Sequence, residues 1–319
     1  IYEALQDPHP GVRQVACEAI AVTRTWQSVA ANQPAEMEIE LERNQTISGQ
    51  LARIVRSDSP PVARSAAMAL GRMGEFRAIG ALLGRLGRLE QDRFLEHSLI
   101  YALIEIDDFE STHEALKSEN PSIISGALWA LEGMNSSQLE IFDVLPFLDE
   151  EDSQLRQTAI AIASQHPGWD AGIANTFFNW VEDLSETRQI ALMEMIPQLT
   201  MTPPFADFLT SLANSDESGH RELALELITR STATRLRGDW RSAIRSALKT
   251  DVDPTLRSLA IAALARFPES SFLPLLKTLQ ESDQVGAGER RMLEDLVERL
   301  ESTPERTRAL PIFKEPESP

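Results

Sequence analysis

The sequence predicts an all-α fold, an α-solenoid of about eight to nine short helical hairpins. Three observations carry this. A sequence frame recurs through the chain, small and aliphatic residues follow each copy at helical spacing, and no stretch alternates with period two. The frame is clearest in SDSPPVARSAAMALGRMGEFRAIGALLGRL, residues 57–86. Ser57 or Asp58 is a candidate helix cap, and Pro60 and Pro61 suit an opening turn, where a missing N–H costs least. Val62, Ala66, Ala69 and Leu70 then share one helical face, mostly alanine, which lets a neighbouring helix approach closely. Gly71 and Gly74 end that helix or admit a passing backbone. Ile79, Leu82, Leu83 and Leu86 form the stripe of a second helix. Two short helices with one stripe each make no core alone and require copies on either side.

The copies follow in order. An acid, a proline and an arginine six residues after the acid recur as Asp7 to Arg13, Asp58 to Arg64 and Asp251 to Arg257. Weaker anchors stand at His97, Ser125, Arg156, Arg188, Arg221 and Arg290. The successive offsets are 51, 33, 28, 31, 32, 33, 36 and 33 residues, a repeat period after one long gap. Three residues beyond each of the first eight anchors stand Ala16, Ala67, Ile100, Leu128, Ala159, Ala191, Ala224 and Ala260. Six beyond stand Ala19, Leu70, Leu103, Leu131, Ile162, Glu194, Leu227 and Ala263, of which Glu194 alone is polar, with Met195 beside it as a substitute. Partner helices are expected around 51–55, 79–86, 141–148, 173–181, 205–213, 240–248 and 272–279.

The frame D-x-x-P-x-V-R followed by small-x-x-A-L resembles the HEAT repeat, and VARSAAMALGRMGEFRAIGALL resembles its short subtype, known from phycobilisome lyases. Pro146 in DVLPFL and Pro274 in FLPLLK match the proline that bends the first helix of many such units. The block DRFLEHSLIYALIEI, residues 92–106, is similar to HEAT segments of large bacterial proteins that join a dehydrogenase-type propeller to a c-type haem domain. The resemblance covers nearly the whole chain and implies that the second helix of each unit lines a concave face. It implies little about activity, because such repeats serve many functions.

Composition bounds the rest. The 319 residues carry 49 acidic against 30 basic side chains, net −19, which argues against a general nucleic-acid binder and against an anionic-membrane binder. Cys17 is the only cysteine, so neither an internal disulfide nor a cysteine-based metal site is possible. No apolar run is long enough to insert in a membrane. Residues 1–302 read as the repeat array, with a first repeat truncated at its N-terminus, as expected of a fragment of a longer chain. The excess in the first gap lies at 31–43, ANQPAEMEIELER, an acidic helical excursion or mobile loop. Residues 303–319 carry four prolines and read as a tail or linker.

Chemistry is not written in any motif. His9, His97, His113, His166 and His220 are scattered, with no H-x-x-x-H or H-E-x-x-H, and His113-Glu114 is a single His-Glu pair. Gly286-Ala287-Gly288 is followed by Glu-Arg-Arg rather than a phosphate-loop pattern, and DEEDSQLR lacks the alternating ligands and glycine of an EF-hand loop. We therefore expect no catalytic, cofactor or metal residues and no cofactor. N-Q-T at Asn44 and N-S-S at Asn135 match a glycosylation sequon, a short and common pattern.

Charge is banded. Between Ala102 and Asp152 stand 13 acids and one base, Lys117, whereas 52–94 carries eight arginines against four acids and 231–266 seven basic residues against three acidic. Glu105, Asp107, Asp108 and Glu110, then Asp149, Glu150, Glu151 and Asp152, gather at turns. They read either as solvated turns whose acids favour the next helix N-terminus or as a docking surface for a basic partner. The five tryptophans, Trp26, Trp129, Trp169, Trp180 and Trp240, read either as core filling or as interface anchors, and Trp129, on a second helix beside the acidic band, is the best candidate for an anchor. The repeated arginine either clamps neighbouring turns or forms a ladder for an extended anion.

The expected function is a non-catalytic scaffold, a protein-interaction or spacer module working beside other domains of its parent chain. A bilin-lyase-like enzyme, which the subtype implies, is the alternative. A DNA-lesion glycosylase on the same scaffold is a third, against which the net charge counts. The parent that resemblance at 92–106 implies would be extracytoplasmic; otherwise the chain would be cytoplasmic.

Overall fold

The structure, a computed structural model, describes residues 1–27, 34–88, 92–249 and 253–302, with side chains of 24–44 outside the description. Asp251, the tail at 303–319, residues 31–33 and the side chains of Trp26 and Asn44 therefore lie outside it. Every regular element among the described residues is helical, and none is a strand. The chain divides into two compact units, residues 1–176 with 184–195, and 177–183 with 196–319.

In the first unit α1 (Pro10–Gln27), α3 (Pro60–Met73), α5 (Arg93–Ile106), α7 (Pro121–Gly133), α9 (Ser153–Ser164) and α11 (Glu186–Met195) stack in that order. Between them run α2 (Pro34–Ser57), α4 (Ile79–Leu86), α6 (Phe109–His113), α8 (Ile141–Val144) and α10 (Asp170–Glu182), whose residues from 177 belong to the second unit. In the second unit α13 (Ser218–Arg230), α15 (Pro254–Arg266) and α17 (Ala287–Ser302) stack, partnered by α12 (Pro203–Ala213), α14 (Gly238–Ala247) and α16 (Leu273–Gln280). Every odd-numbered helix touches the odd-numbered helix before and after it within its unit, which is the nearest-neighbour packing of a solenoid.

The frame sits where expected. All nine anchors fall in the first turn or so of an odd-numbered helix. Val62, Ala66, Ala69 and Leu70 are fully buried, as are Ala67, Leu128, Ala159, Ala191, Ala224 and Ala260. Met195 is buried beside Glu194, as anticipated, and Glu194 has its own use, described below. Both glycine roles occur in α3. Gly74, at φ 62°, ends the helix with its N–H on the carbonyls of Gly71 and Leu70. A Cβ on Gly71 would meet the Ala102 Cα at 3.0 Å, so α3 and α5 touch through backbone there.

Three local expectations need correction. Neither Ser57 nor Asp58 caps α3. Ser57 closes α2 with its hydroxyl on the Arg53 carbonyl, and the N-cap is Ser59, whose side chain makes no cap bond. Asp58 instead accepts from the Ser59 N–H at 2.7 Å and from Arg13. Pro274 does not bend a helix interior, because it stands in the first turn of α16 after the 3₁₀ turn Ser270–Phe272. Pro146 lies in a 3₁₀ turn, Leu145–Phe147, that directly follows the four-residue α8, since proline supplies no N–H for an i→i−4 bond. In the long first gap the backbone of 34–43 is helical and forms the first part of α2. A partner helix that no apolar stripe announces, α6, fills the place between α5 and α7 with only five residues and a following 3₁₀ turn.

Candidate functional site

The repeated arginine is spent inside the stack. Arg13 donates from Nη1 to the carbonyls of Asp7 (2.7 Å) and Pro8 (3.1 Å), while Nε and Nη2 grip the Asp58 carboxylate at 2.6 and 2.8 Å. Arg156 repeats this with the carbonyls of Glu150 and Glu151 and the carboxylate of Glu194. Arg221 holds the carbonyls of Ser215 and Asp216, and Arg290 those of Ser282 and Val285. Arg257 binds Glu289 at 2.9 and 3.0 Å with 1% of its own side chain exposed. In Arg13 and Arg156 one edge of the planar guanidinium satisfies carbonyls of its own turn and the other reaches the next repeat, a division that the rigid fork of donors allows. Glu194, the one polar residue at its repeat position, is the partner of Arg156. Arg64 departs from the pattern and lies over the Phe94 ring at 5.8 Å.

The turn acids are largely engaged too. Asp108 caps α6 through Ser111, and Asp152 caps α9 through the Leu155 N–H at 2.9 Å. Asp107 adopts φ 57° at the end of α5 and accepts from the N–H and hydroxyl of Ser136. Asp149 accepts from Arg188 Nε at 2.9 Å. Glu150 and Glu151 lend backbone carbonyls to Arg156, and Glu110 stands exposed in the first turn of α6. Glu105 turns inward. Its Oε2 lies 2.7 Å from the place a Cβ on Gly71 would take and has no hydrogen-bond partner. Burial raises its pKa, against the pull of Arg72 and a hydrogen bond from Tyr101. Capping and pairing explain where these acids stand without discharging most of them, so the field of the band persists.

The histidines pair singly: His113 with Asp143 at 2.8 Å, and His166 with Glu132 at 2.9 Å while stacked on Trp169. Glu114 pairs with Lys117 rather than with His113. Among the described residues no group of three or more His, Cys, Asp or Glu is arranged to hold a metal ion. No described helix is long and apolar enough to cross a membrane.

Trp129 is the sequence candidate that opens onto space. It lines a cavity of about 680 Å³ with Arg93 and Glu96 of α5 and Ser153, Gln154, Gln157 and Thr158 of α9. Gln154 Nε2 reaches Glu96 Oε1 at 3.4 Å across α7. The lining contains none of the eight turn acids, so the structure does not bring Trp129 and the band into one site; Asp152 comes nearest in the chain, preceding Ser153. Beside this cavity α5 presents Phe94, His97 and Tyr101 to solvent at i, i+3 and i+7, with Phe94 74% exposed and Tyr101 53%. The sequence reading missed this face. Its signal was present in the spacing of two aromatics, but burial decides whether such a stripe is core or surface.

No family model matches the chain, and no curated protein does. Among solved structures it is similar to Kap121p, at 14% identity over 94% of this chain and 37% of that one, with a TM-score of 0.49. Kap121p bound to Nup53p gives the same values. The karyopherin Kap121p bound to the extreme C-terminus of the protein phosphatase Cdc14p gives 13% identity over 93% and 36%, also at 0.49. The chain thus spans little more than a third of the length of these proteins. Its own helix contacts are what define it as a stack of α-helical hairpins.

Proposed function

We propose that this chain is a non-catalytic HEAT-like scaffold that binds a protein partner through the α5–α9 face of its first unit. The observation that carries the reading is Trp129, half-buried in an open cavity between α5 and α9 and rimmed by polar side chains. Tryptophan is enriched among the few residues that carry most of the binding energy of protein interfaces. The exposed Phe94 and Tyr101 extend the apolar contact along α5. The field from the residues between Ala102 and Asp152 favours a partner rich in Lys and Arg, chiefly through the association rate. The heavy use of ionisable side chains in caps and repeat-to-repeat pairs supports the same reading, because it commits them to building the stack.

Selection of peptides from a random displayed library against the full chain tests this. Enriched peptides should carry excess basic residues and weaken with added salt. Trp129→Ala should lower their affinity by roughly tenfold or more while the helical circular dichroism at the assay temperature stays that of the wild-type chain. Binders indifferent to Trp129→Ala, or turnover of a substrate by the purified chain, would overturn the reading.

A further inference from the structure

The basic stretch at 231–266 is not accounted for by the partner face, which lies in the other unit. Four of its six arginines gather. Arg235, Arg237 and Arg241, from the segment that enters α14, and Arg266, at the end of α15, line one cavity of about 820 Å³ together with Asp239 and Glu269. Arg241 is the one that is ion-paired among the described residues, through Nε to Glu269 Oε2 at 2.8 Å. Arg237 and Arg266 lie over the rings of Trp240 and Phe267, at 6.0 and 4.9 Å from the centroids, which restricts both guanidiniums. The Arg237 Nε is buried and has no hydrogen-bond partner. That unmet donor is a local cost of holding Arg237 in place, and the cavity is served by the guanidinium groups that line it.

Four arginines less two carboxylates leave an excess of two positive charges around this cavity, in a chain whose net charge is −19. Gly238 and Asp239, the first residues of α14, line the same cavity, and no side chain caps this helix. The first N–H groups of an α-helix have no intrahelical partner, and the positive end of the helix dipole here adds to the field of the arginines.

We propose that this cavity binds a phosphoryl group. A phosphate monoester carries a charge close to −2 at neutral pH and offers three acceptor oxygens, matching the excess charge. Guanidinium forks bind such oxygens bidentately. The group belongs either to a small phosphate compound or to a phosphorylated side chain, and the test separates the two. The proposal does not depend on the partner face and stands if that reading fails.

The experiment is calorimetric titration of the full chain at low ionic strength with inorganic phosphate, inorganic pyrophosphate, and a phosphoserine peptide beside its unphosphorylated twin. Saturable binding of at least one phosphate probe, with none for the twin, is the expected result, and which probe binds tightest identifies the source. The variant Arg235→Gln/Arg266→Gln should weaken that binding on the order of tenfold. Arg53→Gln, which removes one charge from the first unit, should leave it unchanged. Both cavity arginines are exposed, so the fold should survive; Arg235→Gln alone, with a loss of about threefold or more, serves as the second variant. Absence of saturable binding by every probe overturns the proposal. So does binding that the cavity variants leave intact, or that Arg53→Gln weakens equally.

Discussion

At the α1–α3 junction and at the α15–α17 junction the same repeat position carries an arginine, yet the two are built differently. Arg13 and its partner Asp58 keep 19% and 12% of their side chains exposed, and water reaches the pair. Arg257 and Glu289 keep 1% and 9%. Burial pushes the Glu289 carboxyl up, but the hydrogen bonds from Arg257, the Gly286 N–H and Ser258 outweigh it and hold the pKa below the ordinary value. The comparison teaches that one sequence motif serves as a surface clamp or as a sealed polar staple, depending on how closely the next repeat covers it.

Breaking the sealed pair should have the largest effect. Arg257→Ala leaves the Glu289 carboxylate buried without its counter-charge and should lower unfolding stability by about 3–5 kcal/mol, read from urea denaturation. Arg257→Met with Glu289→Met should recover most of that loss, because an apolar pair of similar volume carries no desolvation penalty. If Arg257→Ala costs no more than Arg13→Ala, the contrast between the junctions is lost.

The α1–α3 clamp sharpens the comparison through pH. The hydrogen bond from Arg13, aided by the Ser59 N–H, holds Asp58 below the usual carboxylate range. A depressed carboxylate contributes stability above its unfolded pKa and loses it as pH falls through the lower folded value. The wild-type chain should therefore lose this contribution only below pH ~4. Arg13→Ala should reduce melting temperature at neutral pH by less than Arg257→Ala does, and its melting temperature should fall less steeply on acidification.

Smaller effects test what surrounds the clamp. Cys17, one turn along α1 from Arg13, is fully buried, and desolvation pushes its thiol up to about 12. It should resist thiol reagents in the native chain at neutral pH and react fully in denaturant; native-state labelling would mean that this junction opens. At the far end of the scale, Lys277 and Glu301 form a pair with each side chain about half exposed. Lys277→Ala should change stability by ~0–1 kcal/mol at most.

The acidic band and the Arg cavity show how far a sequence reaches toward a site. Both stood out as charge runs, and for the acids the run alone left solvated surface and binding surface undecided. In the band, the structure finds Asp108 and Asp152 as caps and Asp149 under Arg188. In the basic run it brings Arg266 to the three arginines near α14 across a gap of 25 residues from Arg241. Trp129 was identifiable as an aromatic beside acids. Glu96 and Gln154, which meet across it 58 residues apart, were not, because polar residues on a solenoid helix look alike until neighbouring repeats are stacked.

What the sequence determined by itself was the helical period, the repeat and the register of its anchors. Those depend on contacts within a unit and on the spacing of small residues, which are local properties of the chain. The partners of the repeated arginine, the inward turn of Glu105 and the separation of Trp129 from the acidic turns belonged to the tertiary structure. Each depends on which residue of the next repeat comes within about 3 Å, the reach of a hydrogen bond, and stacking decides that distance.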